Sequence, residues 1–397
     1  MILFDNIQFV YELNLACLEL EASGINYQLS QDLRHFSVSD EGTLRMAQFG
    51  SRTAYFKEVL GRPTTYSQIV LKNRTRSVNQ YLTHWIYPYK GKFHPQMIRA
   101  LLNIIGIKPG EILFEPFCGS GTAVLEAQLL GINCIGRDVS PLCVLQTRVK
   151  TEAVKRLNDI KKLKDRVITE TAGSLFSNGY KYRDFIGQLT EDPIVQEFFI
   201  LARMLALSDE SRRNRDYTSS LSKNILLMLY SLSDYHEIIR ILSLDLGKTD
   251  VELGDMRSVP FPNDYFDGII TSPPYSIALD YVQNDIHALT DLGYDPKMAR
   301  ESFIGVRGNG SDRVKLYNQD IEEVYRELYR TLKPGRQAVI IIGNATYLSS
   351  PVDSVGFTIQ TMEKLGFQLI HNINKIIFGL YNIMKQENIL IFRKVDK

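Results

Sequence analysis

The spacing of apolar residues changes character along this chain. Ile112 to Phe114 and Asn133 to Gly136 are short apolar runs, and between them Val124, Leu125, Leu129 and Leu130 recur at helical spacing. Short apolar runs bounded by turn residues read as strands buried on both faces, so this stretch predicts strand, helix, strand. The alternation resumes with a third strand in VELGD (Val251 to Asp255), a fourth at Gly268 to Thr271 and a fifth at Ala338 to Asn344. Between the last two, Asn318 to Thr331 predicts an amphipathic helix with Ile321, Val324, Leu328 and Leu332 on one face, ended by Lys333 to Gly335. A helix over Ser354 to Leu365, closed by Gly366, leads to FQLIHNINKIIF and ENILIFRK, which read as a terminal antiparallel pair. Strands alternating with helices predict an α/β class, here a mostly parallel sheet of seven strands.

The middle and the N-terminus follow other patterns. From about Thr147 to Leu246 the segments VKRLNDIKKLKDRVITE, LTEDPIVQEFFILARMLAL and NILLMLYSLSDYHEIIRILSL carry helical spacing and no strand signal. They predict a helical insertion, residues 147–246, between the second and third strands, serving target contact, a lid or plain scaffolding. Residues 1–78 predict a small α+β lobe, with Met1 to Val10 strand-like, a helix from Glu12 to Ala22, and further strands at His35 to Val38 and Ala54 to Val59. Residues 79–397 form the remaining domain, whose first segment is rich in rings: His84, Trp85, Tyr87, Tyr89 and Phe93. Pro95 then opens a helix over Gln96 to Ile105.

Two stretches concentrate the chemistry. In TSPPY (Thr271 to Tyr275) two prolines follow the fourth strand, where they end its ladder and stiffen the backbone. Ser272, the fixed carbonyls and the Tyr275 ring therefore gather at the carboxyl end of a strand, where open α/β sheets bind ligands. In FEPFCGSGT (Phe114 to Thr122) the first strand runs into Gly119 and Gly121 and then a helix N-terminus, which offers free N–H groups to a ligand. The plain alternative is a tight turn. Asp138 ends the second strand 23 residues after Glu115, the usual distance to an acid that binds ribose hydroxyls.

Together FEPFCGSGT and TSPPY resemble the motif set of amino-group methyltransferases that use S-adenosylmethionine (SAM), and TSPPY resembles the cytosine-N4 branch of DNA methyltransferases. YPYKGKFHP (Tyr87 to Pro95) is similar to that family's additional SAM-binding segment. The resemblance spans most of residues 81–397 around an unmatched middle. It implies a Rossmann-like seven-stranded methyltransferase sheet. It implies a catalytic segment of Ser272, Pro273, Pro274 and Tyr275. It also implies a SAM site built from Lys92, Phe93, Glu115, Phe117, Cys118, Gly119, Ser120, Gly121, Thr122, Asp138, Val139, Asp255, Met256 and Thr271, with Phe93 on the adenine ring and Asp255 on its amino group. Asp255 also reads as a solvated turn residue before Arg257. The chain departs from the family in having Glu115 where Asp is usual. Its glycine loop also precedes SPPY by roughly 150 residues.

Composition narrows the remaining choices. The 397 residues exceed one simple core and carry 44% apolar residues, as ordinary globular chains do. No apolar run approaches ~20 residues, so no membrane span is expected. MILFDNIQFVYELNL lacks the basic lead of a signal peptide, which makes the cytoplasm the default. Lys plus Arg is 46 and Asp plus Glu 45, so the net charge announces no polyanion partner. Basic clusters do occur at Lys72 to Arg76, Lys90 to Lys92, Arg212 to Arg215 and Arg307 to Lys315, each readable as solvated surface or as a phosphate-contacting rim. Cys17, Cys118, Cys134 and Cys143 have neither CxxC spacing nor nearby histidines, so no metal site is expected. Cys118 reads as loop packing in preference to a nucleophile.

The implied reaction is methylation of the exocyclic N4 amine of a flipped cytosine in DNA, as in restriction-modification systems. Ser272 Oγ and the Pro273 carbonyl would accept hydrogen bonds from that amine, and Tyr275 would stack on the base. Three alternatives stay open: an RNA base methyltransferase of the tRNA guanine-N2 type, to which the N-terminal lobe's layout bears a loose likeness; a DNA adenine-N6 methyltransferase; and a nucleic-acid-binding module without catalysis.

Overall fold

The computed structural model describes residues 1–39, 42–72, 79–171, 178–274, 280–308, 311–347, 350–376 and 386–395. It opens with β1 (Ile2–Leu3), α1 (Val10–Ala22), the hairpin β2 (Tyr27–Leu29) and β3 (Phe36–Val38), α2 (Thr43–Arg52), β4 (Phe56–Val59), β5 (Arg62–Pro63) and α3 (Thr65–Leu71). The expected strand over Met1 to Val10 is thus confined to two residues. The cause is local: the Glu12 carboxylate accepts the Gln8 and Phe9 N–H groups at 2.9 and 3.1 Å, which starts a helix where a strand had been expected.

Beyond residue 79 the order is α4 (Pro95–Ile104), β6 (Ile112–Glu115), α5 (Thr122–Leu129), β7 (Asn133–Asp138) and α6 (Pro141–Glu152). Four further helices follow: α7 (Leu157–Glu170), α8 (Gly179–Leu189), α9 (Pro193–Arg213) and α10 (Tyr217–Leu242). The sheet resumes with β8 (Thr249–Leu253) and β9 (Phe266–Thr271). Short helices α11 (Tyr281–Asn284), α12 (Ile286–Asp291) and α13 (Pro296–Ser302) precede α14 (Ser311–Thr331). The chain ends with β10 (Leu332–Ile342), the hairpin β11 (Ala345–Tyr347) and β12 (Ser350–Val352), α15 (Ser354–Leu365), β13 (Phe367–Ile376) and β14 (Gln386–Lys394). Lys333 to Gly335 therefore lie in a strand that starts where α14 stops.

Seven strands form one sheet in the order β13-β14-β10-β9-β6-β7-β8. β8, β7, β6, β9 and β10 are parallel, and β14 and β13 add an antiparallel edge. This is the Rossmann-like methyltransferase sheet that the sequence predicts. From β6 the chain builds outward through β7 to β8, then returns to place β9 on the other side of β6. That reversal opens a crevice at the carboxyl ends of β6 and β9, the general ligand site of such sheets. Helices α7 to α10 lie between β7 and β8, as expected of an insertion, and α9 packs on α6 and α10.

A continuous apolar core joins the N-terminal elements to one face of the sheet, with Leu15, Phe56, Leu101 and Leu113 all buried in it. A second core, with Phe266, Tyr325 and Phe392, fills the other face under α14 and α15. Buried polar groups stitch the first core. Glu126 on α5 accepts hydrogen bonds from Tyr81 Oη, from His84 Nε2 at 2.8 Å and from Arg99 Nη1 at 3.3 Å. Burial alone would push this carboxyl up, but the bond from His84 and the Arg99 charge outweigh it and hold the group below its usual value. Burial pulls His84 down to about 4, so it donates as a neutral ring. Arg99 Nε also donates to the Arg52 carbonyl at 3.0 Å, tying α4 to the end of α2. Replacing it leaves the buried Glu126 Oε2 without its donor, while the Arg52 carbonyl keeps only the Asn103 Nδ2 at 3.1 Å. Arg99→Ala should therefore lower the unfolding free energy by about 3–5 kcal/mol, read from urea denaturation by circular dichroism; a loss under about 1 kcal/mol would show that Tyr81 and His84 suffice.

Candidate active site

The crevice is built from three loops. The first leaves β6 at Glu115 and turns tightly, with the Gly121 N–H donating to the Cys118 carbonyl at 2.7 Å. Gly119 and Gly121 have φ of 47° and 74°, and a Cβ on Gly121 would sit 2.6 Å from Thr147 Oγ1, so that position excludes larger residues. The loop is clamped from α6: Gln146 Nε2 donates to the Gly119 carbonyl at 2.9 Å and Lys150 Nζ to the Ser120 carbonyl at 2.6 Å. Lys150 is buried, and burial lowers its pKa well below the ordinary lysine value.

Asp138, at the end of β7, closes the second side. Its Oδ2 accepts the Gly119 N–H and its Oδ1 the Ser140 N–H, both at 2.9 Å. Burial raises its pKa to about 6, against the pull of those two N–H groups. The Cys143 thiol and the Val139 N–H also favour its charged form. The third loop leaves β9 at Thr271 and carries Ser272, half-buried, Pro273, buried, and Pro274, half-buried. Tyr275, assigned to base stacking, lies outside the described residues.

Ser120 of the glycine loop and Ser272 of the proline loop line one cavity of about 70 Å³. Of the residues expected from sequence, Phe93, Phe117, Cys118, Gly119, Ser120, Asp138, Val139, Met256, Ser272 and Pro274 form its wall. Lys92 points elsewhere, its Nζ donating to the Asn79 and His84 carbonyls at 3.0 and 2.5 Å. Asp255 is held by Arg257, whose Nε sits 3.0 and 3.1 Å from its carboxylate oxygens, and is not part of the wall. Thr122 is buried behind the loop, 3.0 Å from Ser120 Oγ. Cys118 is a buried neutral thiol, its pKa pushed well up by burial, which suits packing.

Glu115 is among the few described residues that depart from the rule that buried polar atoms are paired, and both of its carboxylate oxygens do so. Neither carboxylate oxygen has a hydrogen-bond partner, and neighbouring Thr271 Oγ1 has none. Burial pushes the Glu115 carboxyl well above its ordinary 4.5; the nearby Thr271 hydroxyl and Phe117 N–H oppose that rise without cancelling it. An unmatched acid and hydroxyl at the ends of adjacent central strands are what a cationic ligand group would satisfy.

Tyr89, from the ring-rich lead-in segment, and Tyr281 are both in the wall and stack at 6.2 Å and 18°. Sequence reasoning assigned no site role to Gly91, Ser140, Cys143, Tyr281, Asp285, Phe303 or Ile304, which complete the wall. A Cβ on Gly119 would lie 3.2 Å from the Tyr89 ring, so this ring rests directly on the glycine loop. The free space is below the ~300 Å³ at which ligand pockets usually begin.

A family model described as UPF0020, RMKL-like, methyltransferase domain, matches residues 86–173, which contain Tyr89, the glycine loop and Asp138. The chain is similar to the type II methyltransferase M.MjaII of Methanocaldococcus jannaschii, 32% identical over 152 residues, which make up 38% of this chain and 25% of that protein. It is also similar to a tRNA (guanine(10)-N2)-dimethyltransferase of Methanothermobacter thermautotrophicus, 37% identical over 60 residues, covering 15% of this chain and 18% of that one. The matched segments thus span a quarter or less of these relatives. A solved SAM-dependent methyltransferase of Methanosarcina mazei aligns over 73% of this chain and 95% of its own at 10% identity, with a TM-score of 0.34. The cofactor that goes with this sheet and this domain is S-adenosylmethionine. No helix among the described residues is long and apolar enough to cross a membrane.

The strain on Glu115 can be measured. Its folded pKa lies above the unfolded value, so its contribution to stability is fully present below about pH 4.5 and is lost as pH rises toward the folded value. Glu115→Gln should therefore stabilise the ligand-free protein by about 1–3 kcal/mol at pH 8 and by much less at pH 5. Urea midpoints that shift equally at both pH values would contradict this.

Proposed function

We propose that this chain is a methyltransferase that moves the methyl group of SAM to an exocyclic amine of a nucleobase, and that the amine is N4 of cytosine in DNA. The observation that carries the reading is the single cavity shared by Ser120 of the glycine loop and Ser272 and Pro274 of the proline loop, with the unmatched Glu115 carboxyl at the end of the adjoining strand. Glu115 and Thr271 would receive the cofactor's ammonium group, Asp138 its ribose hydroxyls, and Phe93, Val139 and Met256 its adenine. When bound, the cofactor would supply an electrophilic methyl carbon, and Ser272 lines the same cavity.

The chain's own residues have a modest chemical task. An aromatic amine is a weak nucleophile because its lone pair is delocalised into the ring. Ser272 Oγ and the Pro273 carbonyl accept its two N–H groups, favouring a pyramidal nitrogen whose lone pair faces the methyl. Placement then supplies most of the rate: as the N–C bond forms, the methyl's bond to the donor sulfur would break with its electron pair left on sulfur, a neutral thioether would leave, and water would take the amine proton. A base paired within a duplex must leave the stack to reach Ser272, so a flipped or single-stranded target is required.

The type II methyltransferase relatives and the TSPPY segment support DNA. The tRNA dimethyltransferase relatives support a second reading, guanine N2 in tRNA, which uses the same amine chemistry. Incubation with labelled SAM and either duplex DNA or tRNA, followed by digestion to nucleosides, separates them: N4-methylcytosine from DNA supports the first, N2-methylguanine from tRNA the second, and no label from either rejects both. In whichever reaction is found, Ser272→Ala should lower kcat about 10²-fold while the Kd for SAM changes little. Equal losses in both would assign Ser272 to cofactor binding.

A further inference from the structure

Tyr89 also borders a second, partly open cavity of about 370 Å³ between the aromatic lead-in segment and the turn joining α9 to α10. Its wall includes Trp85, Tyr89, Arg213, Arg215 and Lys223, with Asp209 the sole carboxylate. Asp209 is engaged already: Arg213 Nη1 donates to it at 2.8 Å, Arg215 Nη1 at 3.4 Å and Asn224 Nδ2 at 3.3 Å. Arg213, Arg215 and Lys223 are exposed, and no ion pair among the described residues involves Lys223. One acid thus faces three solvent-accessible cations, in a chain whose overall charge is only +1.

This cavity is joined to the active site at two points. Tyr89 belongs to both walls. Arg212, at the end of α9, donates to the Asn284 carbonyl at 2.7 Å and to Asp285 Oδ1 at 3.2 Å, and Asp285 is in the wall of the first cavity. The turn of the insertion is therefore anchored to the active site, and its cations open onto an adjoining space.

We propose that this cavity holds the phosphodiester backbone of the substrate strand next to the methylated base, with Arg215 and Lys223 as its phosphate contacts and Arg213 keeping Asp209 neutralised. The proposal rests on the nucleobase-methyltransferase reading and assigns the insertion the role of gripping the strand. DNA and RNA share this chemistry, so the test runs with both. Affinity for a labelled DNA duplex and for labelled tRNA is measured by fluorescence anisotropy across a salt series, with the Kd for SAM measured separately. The double variant R215Q/K223Q leaves Arg213 on Asp209, and K161Q/K162Q on the exposed face of α7 removes the same charge elsewhere. On the true substrate, R215Q/K223Q should lower the slope of log affinity against log salt by about 1.4 for a single strand to 1.8 for a duplex, with SAM affinity unchanged and the control slope equal to wild type. An unchanged slope, or an equal change in the control, overturns this assignment even where the wild type methylates. A wild type that binds neither nucleic acid overturns both this and the reading beneath it.

Discussion

Everything near the active site hangs on the Glu126 carboxylate. It sits on the helix that follows the glycine loop, fully buried, and its acceptors are filled by Tyr81, His84 and Arg99. Tyr81 and His84 belong to the segment that goes on to place Tyr89 against Gly119. Arg99 belongs to the helix that carries the N-terminal elements. A single ionised group, too costly to leave unmatched at that depth, thus dictates how three parts of the chain meet.

Glu115 is the contrast. Eleven positions earlier in the chain and equally deep, neither of its oxygens has a partner in hydrogen-bond geometry, with only the nearby Thr271 hydroxyl and Phe117 N–H to favour its charge. The same residue type is used once to fasten the fold and once, at the end of β6, to hold an unmet demand that a ligand's positive charge would fill. Both carboxylates are nearly inaccessible, so burial does not distinguish them; the donor count does. Asp138 falls between, since its two backbone partners shape the loop without cancelling the rise that burial causes.

Much of this was legible in the residues. The parallel strands announced themselves by apolar runs, the glycine loop and Asp138 by spacing, and the insertion by its change of period. What escaped were contacts set by tertiary distance. Tyr281 meets Tyr89 across nearly two hundred residues, and Gln146 and Lys150 clamp the loop from a largely buried helix that the sequence reading did not single out. Asp255 is engaged by Arg257 two residues on, and Asp320, far away in sequence and 3.2 Å from Arg257 Nη1, helps to hold that arginine. The opening segment misread as a strand shows the same rule, since one glutamate captured the backbone donors that a ladder would have used.

The insertion has a consequence for synthesis. β7 and β8 are hydrogen-bonded neighbours, yet residues 139–248 lie between them, and the proline loop comes later still. On the ribosome the glycine loop and Asp138 emerge first, and the helices of the insertion can pair among themselves before β9 exists. Closing so long an excursion adds little entropic cost, because that cost grows only with the logarithm of its length. The nascent chain therefore delivers the glycine loop and Asp138 well before Ser272, Tyr281, Asp285 and Phe303, which finish the wall.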